Sequence, residues 1–230
     1  MALEYWQCPA CAYKTILPTH PMPLSLLTPC TEPAPWELGQ CARLPRWQEW
    51  PAEHLLPALR HRDASQVMFL AEAHAGPLAL VVDTSPVLHA LGIYEVCLLD
   101  ALISGRSTSY WGWDLGLLQD LVRMADPAKL RAASDPFPTQ PTYTLYRGVA
   151  GAGRARRSRG LSWTGSLEKA WWFAQRQRHL HLADPAVYTA QVPAKYVFAY
   201  TNARKEDEYL LLLPPRFPVQ RLPEPTDAPA

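Results

Sequence analysis

The sequence predicts an α+β protein in which a helical N-terminal half precedes a half built on short strands. Three observations carry this. Between residues 58 and 135 the apolar residues recur mostly at helical spacing. After Pro141 they fall into short alternating runs separated by turn residues. The 24 prolines crowd the seams, from Pro18 to Pro57 and again at Pro136, Pro138 and Pro141. A chain of 230 residues with 48% hydrophobic side chains can bury a sizeable core.

A formal charge of +1 gives no global reason to bind nucleic acid or an anionic membrane, so only local patches count. No apolar segment approaches the ~20 residues needed to cross a bilayer, and the start MALEYWQCPAC lacks a charged stretch followed by an apolar one. The expectation is a cytoplasmic protein with no membrane partner.

Residues 1–57 read as an irregular Cys/Pro/Trp-rich segment, its Trp36, Trp47 and Trp50 anchoring a chain that proline keeps out of ladders. Four of the five cysteines, Cys8, Cys11, Cys30 and Cys41, lie in it. The spacing of Cys8 and Cys11 lets two thiolates hold one tetrahedral zinc, and Cys30 and Cys41 complete a four-sulfur site, with His20 as a substitute ligand. The second pair is spaced too widely for a full zinc ribbon, and two reduced thiols near a turn are the alternative. Cys97, within an apolar run, reads as a core residue.

Residues 58–135 form the mainly helical part, expected to pack on the C-terminal core. The stretch QVMFLAEAHAGPLALVVDT reads as a hairpin or as a short helix and a strand. Ser85 suits an N-cap with Pro86 at the first helical position, and Val87, Leu88, Leu91, Tyr94, Leu98, Ala101 and Leu102 share one face of a helix ending near Gly105. Another helix spans Asp114 to Met124, and Asp126-Pro127 opens a short last one. In residues 141–217 the strands are TYTLYRGV, GLSWT, AVYTAQVP, YVFAYT and EYLLLL, with a helix in SLEKAWWFAQRQRH; residues 218–230 read as a flexible tail.

Three features of the strand-rich half carry chemistry. Arg147 sits inside an apolar strand, where its planar fork can grip phosphate, beside Gly148, which permits close approach of a ligand to the backbone. Ser162-Trp163-Thr164 gives a hydroxyl-rich strand ahead of an aromatic helix. Glu206-Asp207-Glu208 stands directly before an apolar strand. Each is a common pattern alone; the order of the three is the informative part.

In that order the motifs resemble the mono-ADP-ribosyltransferases, whose signature is an arginine, a Ser-Thr-Ser strand and Glu-x-Glu. The resemblance covers roughly residues 142–215 and includes Ala170, Phe173 and Ala174 of the following helix. Trp163 departs from the pattern, standing where a threonine is expected. The resemblance implies a split β-sheet core that binds NAD as substrate in a cleft. It implies that Glu208 is the catalytic carboxylate on the nicotinamide-side ribose, that Glu206 engages the acceptor, and that Ser162 holds glutamate and ribose with Thr164 in support. Arg147 would grip the NAD phosphates. Breaking the nicotinamide–ribose bond passes through an oxocarbenium-like state, which explains the need for a carboxylate there. The nicotinamide ring needs an aromatic face, for which Trp171, Trp172, Phe173 and Tyr188 are candidates.

The acceptor remains open between protein and nucleic acid. Glu-x-Glu in the family favours a protein side chain such as arginine. The run GAGRARRSRG, with Arg154, Arg156, Arg157 and Arg159, and the cysteine cluster favour nucleic acid, although a solvated loop is the plainer reading of the arginines. By resemblance such a chain is a bacterial or phage toxin or effector, with an antitoxin or immunity protein as partner. The alternatives are a zinc-stabilised binding module on a silent transferase fold, and an NAD glycohydrolase.

Overall fold

The computed structural model describes residues 5–7, 14–16, 55–74, 76–103, 113–151, 158–176 and 182–223. They divide into two compact units, Met1–Trp113 and Asp114–Ala230, each with its own interior.

In the first unit, strands β1 (Tyr5–Gln7) and β2 (Lys14–Ile16) pair antiparallel, Gln7 opposite Lys14. Residues 8–13, which include Cys8 and Cys11, connect them; the four proposed zinc ligands and His20 lie outside the described residues. Among the described residues four helices follow: α1 (Leu56–Arg60), α2 (Ala64–His74), α3 (Pro77–Leu91) and α4 (Tyr94–Ile103). Their interior is Leu55, Leu59, Val67, Leu80, Leu88, Ile93, Tyr94 and Leu98. Cys97 is among them, fully buried, and burial pushes its thiol pKa up.

Two expectations for this unit need correction. The run around Gly76 is neither a hairpin nor a helix followed by a strand but two helices, with Gly76 at φ 92° preceding Pro77 at the first position of α3. The first turn of α3, Pro77 to Val81, is buried on every side, and such an apolar run cannot be separated from a strand by periodicity. The helix expected to start at Ser85 is also two helices. Pro86 lies inside α3, which ends where Gly92 takes a left-handed turn at φ 72°. Pro86 has no N–H for the ladder, and two residues earlier Thr84 donates its hydroxyl to the Leu80 carbonyl at 2.7 Å.

The second unit opens with α5 (Leu115–Met124) and α6 (Pro127–Ala133), started where Asp114 and Asp126 accept from backbone N–H groups, Asp126 from Ala128 at 2.8 Å. The seam thus falls at Trp113/Asp114, inside the stretch 58–135 read as one helical part. Arg131 of α6 donates to the Val197 carbonyl at 3.1 Å and its guanidinium lies 5.0 Å from the Phe137 ring.

Six strands make the antiparallel sheet: β3 (Thr142–Val149), β4 (Ser162–Thr164), β5 (Ala186–Pro193), β6 (Val197–Thr201), β7 (Glu208–Leu211) and β8 (Gln220–Arg221), in spatial order β6-β7-β4-β3-β5-β8. The strand β8, paired with Tyr188 and Thr189, lies in the segment read as a flexible tail. Its two residues between prolines are too few to show a period. Strands β3 and β5 pair over their full length, Thr142 opposite Pro193 to Val149 opposite Ala186, whereas β3 and β4 share a single register pair, Tyr146 and Thr164. The six strands form one continuous sheet in which the β3–β4 ladder is the shortest. One face is covered by a cluster of Tyr143, Leu145, Trp163, Val192, Tyr209 and Leu211. On the other, Ala170 and Ala174 of α7 (Leu167–Arg176) pack with Val187 and Tyr146. Among the described residues no helix is long and apolar enough to cross a membrane.

Candidate functional site

The site is built where β4 and β7 run side by side and the turn before β7 folds back. Thr164 pairs with Glu208 and Ser162 with Leu210, so both hydroxyls and the Glu208 carboxylate stand on one face of the ladder. Trp163 points to the other face, 1% exposed, and donates its indole N–H to the Gly160 carbonyl at 2.9 Å. The bulky residue at the middle of the motif is a core residue and leaves the hydroxyl pair in place.

Ser162 is the node. Its Oγ donates to Glu208 Oε1 at 2.5 Å, and its carbonyl accepts from Arg147 Nη1. The Arg147 side chain lies over Gly160, where a Cβ would collide with the guanidinium. Thr164 Oγ1 donates to the Glu206 carbonyl at 2.7 Å and accepts from the Ser166 amide at 3.1 Å, tying β4, the start of α7 and the acidic turn together. Arg147, Ser162, Thr164, Glu206 and Glu208 are thus joined by one chain of hydrogen bonds completed by Arg204.

The turn from Asn202 to Asp207 is shaped by two non-glycine residues with positive φ, Lys205 at 57° and Asp207 at 49°. Its start is fixed by Asp135, whose Oδ2 accepts from Thr201 Oγ1 at 3.2 Å and the Asn202 amide at 2.8 Å. Its end is fixed by Asn202 Oδ1, which accepts from the Asp207 amide at 3.1 Å. Asp207 faces away from its two neighbours and accepts from the Tyr200 hydroxyl at 2.9 Å. The left-handed turn, rather than strand alternation, sets that direction.

Arg204 is the residue that sequence reasoning missed. Its Nη2 lies 2.8 Å from Glu206 Oε2 and 3.0 Å from Glu208 Oε2, so one cation bridges both acids. Glu208 is 6% exposed. Burial is the largest influence on its carboxyl and raises the pKa above the ordinary carboxylate range; the Ser162 hydroxyl and Arg204 pull it back, and Glu206 pushes it up.

Three expectations are placed differently. The close approach at Gly148 is made by the chain itself: a Cβ there would collide with the Ala170 carbonyl of α7, so the glycine serves helix-on-sheet packing rather than ligand access. Arg159 of the basic run donates Nε to the Phe217 carbonyl at 2.9 Å, and Arg154, Arg156 and Arg157 lie outside the described residues. Of the four aromatic candidates, Tyr188 pairs in register with Arg147. Trp172 is 52% exposed, edge-on to Phe173 and 5.1 Å from the Arg176 guanidinium, and Trp171 packs against the α7 side of the sheet.

Chemically, the arrangement offers a dehydrated carboxylate held in one orientation by a hydroxyl, a second carboxylate beside it, and one cation, Arg204, bridging the two. Compared with protein-family models, with curated proteins and with solved structures, the chain matches none of them.

Proposed function

We propose that the second unit is a mono-ADP-ribosyltransferase that cleaves NAD and transfers ADP-ribose to a macromolecular acceptor, protein or nucleic acid. The observation that carries the reading is the buried Glu208 carboxylate fixed by Ser162, whose own carbonyl holds Arg147. The sheet places the arginine on β3 and the serine and glutamate on the adjoining β4 and β7, and the short β3–β4 ladder is where a cleft would open in this reading.

In this reading Glu208 hydrogen-bonds a hydroxyl of the nicotinamide-side ribose and stabilises the positive charge that develops as the C1′–N bond breaks, its electron pair leaving with nicotinamide. Glu206 accepts the proton of the acceptor nucleophile as the new bond to C1′ forms. Arg147 meets the phosphates, Tyr188 stands beside it as an aromatic face, and Thr164 keeps the acidic turn against β4. A role as a cytoplasmic toxin or effector held in check by a partner protein belongs to the same proposal, as does a structural zinc held by the cysteines of the first unit.

The test incubates the whole chain and its Glu208→Gln variant with labelled NAD and a cell lysate, then divides the products between protease and nuclease. Label entering macromolecules with the parent alone supports the transferase, and the treatment that releases it names the acceptor. Nicotinamide release without label identifies a glycohydrolase; no release at all overturns the reading in favour of a binding module.

A further inference from the structure

The two oxygens of the Glu208 carboxylate are both taken. Oε1 accepts from Ser162, a partner from the neighbouring strand, and Oε2 accepts from Arg204, four residues earlier in the same turn. Glu206 is also taken, by the same Arg204 nitrogen. The two partners differ in kind. Ser162 is a short neutral side chain on a paired strand, and rotation about its one side-chain bond still leaves its Oγ beside the ladder. Arg204 is a long side chain, 37% exposed, on a turn, and can swing into water without breaking a ladder hydrogen bond.

Charge decides what that swing does. With Arg204 in place the three groups sum to one negative charge; with Arg204 withdrawn, two carboxylates face the space it leaves. A fixed guanidinium against Glu208 opposes any reaction in which positive charge grows beside that carboxylate, because like charges in a poorly hydrated site repel strongly. The nicotinamide ring of NAD is itself a cation, and the ribosyl group becomes one as the bond breaks.

We propose that Arg204 is an internal, displaceable cation that occupies the Glu206–Glu208 subsite until the cationic end of NAD replaces it. The inference rests on the transferase reading. The arginine is a latch: it offsets one of the two charges of the adjacent acids in the empty site, and its displacement is part of the cost of binding. The apparent affinity for NAD is then lowered by the fraction of molecules in which the latch is closed.

The experiment uses the whole chain, Arg204→Ala and Arg204→Lys. Calorimetry with NAD reads affinity, and the carboxyl carbon resonance of Glu208, assigned by loss in Glu208→Gln, reads occupancy of the subsite. Arg204→Ala is expected to bind NAD about fivefold or more tightly than the parent, a coupling of ordinary size between two ligands of one site. Arg204→Lys, which keeps a cation, stays near the parent. Equal or weaker NAD binding by Arg204→Ala overturns the latch, since Arg204 would then only position Glu208 or do nothing. If neither protein binds NAD, the transferase reading fails and the second readout alone decides the latch. Guanidinium chloride at about 10 mM, far below denaturing concentrations, is expected to shift the Glu208 resonance in Arg204→Ala and leave the parent unmoved. No shift in the variant overturns the proposal.

Discussion

Glu208 is held at the site against its own solvation. A carboxyl whose folded pKa lies above its unfolded value binds more protons folded than unfolded, so stability falls as pH rises from the unfolded value of about 4.3 through the folded one. Replacing it by glutamine removes the charge while keeping an acceptor for Ser162. Glu208→Gln is therefore expected to be more stable than the parent at neutral pH, by roughly 1 kcal/mol, and to lose that advantage as pH falls toward 4. Thermal melts of the two proteins across that range check it, and an advantage independent of pH would contradict the assignment. Nicotinamide release by the variant should fall by roughly 10²–10³-fold. The residues of this site were unequally legible. Arg147, Ser162 and Glu208 stand in recognisable local patterns, but Arg204 sits in a charged run, ARKEDE, that reads as a solvated turn. What brings it back onto the acids is left-handed backbone at Lys205 and Asp207, two residues that give no glycine signal.

At the scale of elements, two glycines separate packing from binding. Gly148 lies against the backbone of α7, which cannot yield as a side-chain tip would. Gly148→Ala should cost about 3 kcal/mol of stability, read by denaturant unfolding, with any loss of activity following from that. Gly160 lies beneath the movable end of Arg147. Gly160→Ala should push the guanidinium aside with less than about 1 kcal/mol of stability lost, while weakening NAD binding by calorimetry toward that of Arg147→Ala. An unchanged affinity in both would remove Arg147 from the binding site. Strand β3 was legible because its start alternates, and β5, β6 and β7 because short apolar runs are bounded by Pro185, Pro193, Asn202 or Pro214. The helices α2 and α3 were not, since α2 carries an apolar residue, Phe69, on its exposed side and the first turn of α3, Pro77 to Val81, is buried on every side, so neither shows a clean period.

The whole molecule is two units meeting at Trp113/Asp114. Residues 114–230 contain the entire sheet, its covering helices and every described residue of the site, and should unfold cooperatively when produced alone. A broad, non-cooperative melt would show that the first unit is needed for the fold. Elemental analysis of the whole chain should find about one zinc, and chelation should lower its melting temperature. The boundary was not legible because an amphipathic helix such as α5 has the same sequence pattern whichever core its apolar side covers.

The single register pair joining β3 to β4 has a mechanical meaning. The ladder between β3 and β5 has eight pairs and that between β4 and β7 has three, whereas β3 and β4 meet through one pair and the Arg147–Ser162 bond, the rest of their attachment being side-chain packing such as Tyr143 against Tyr209. Backbone pairing is thus sparsest along the line between the strands that carry Arg147 and those that carry Glu208, and side-chain packing holds that line instead. A molecule long enough to touch both sets of strands would act as a splint across that line.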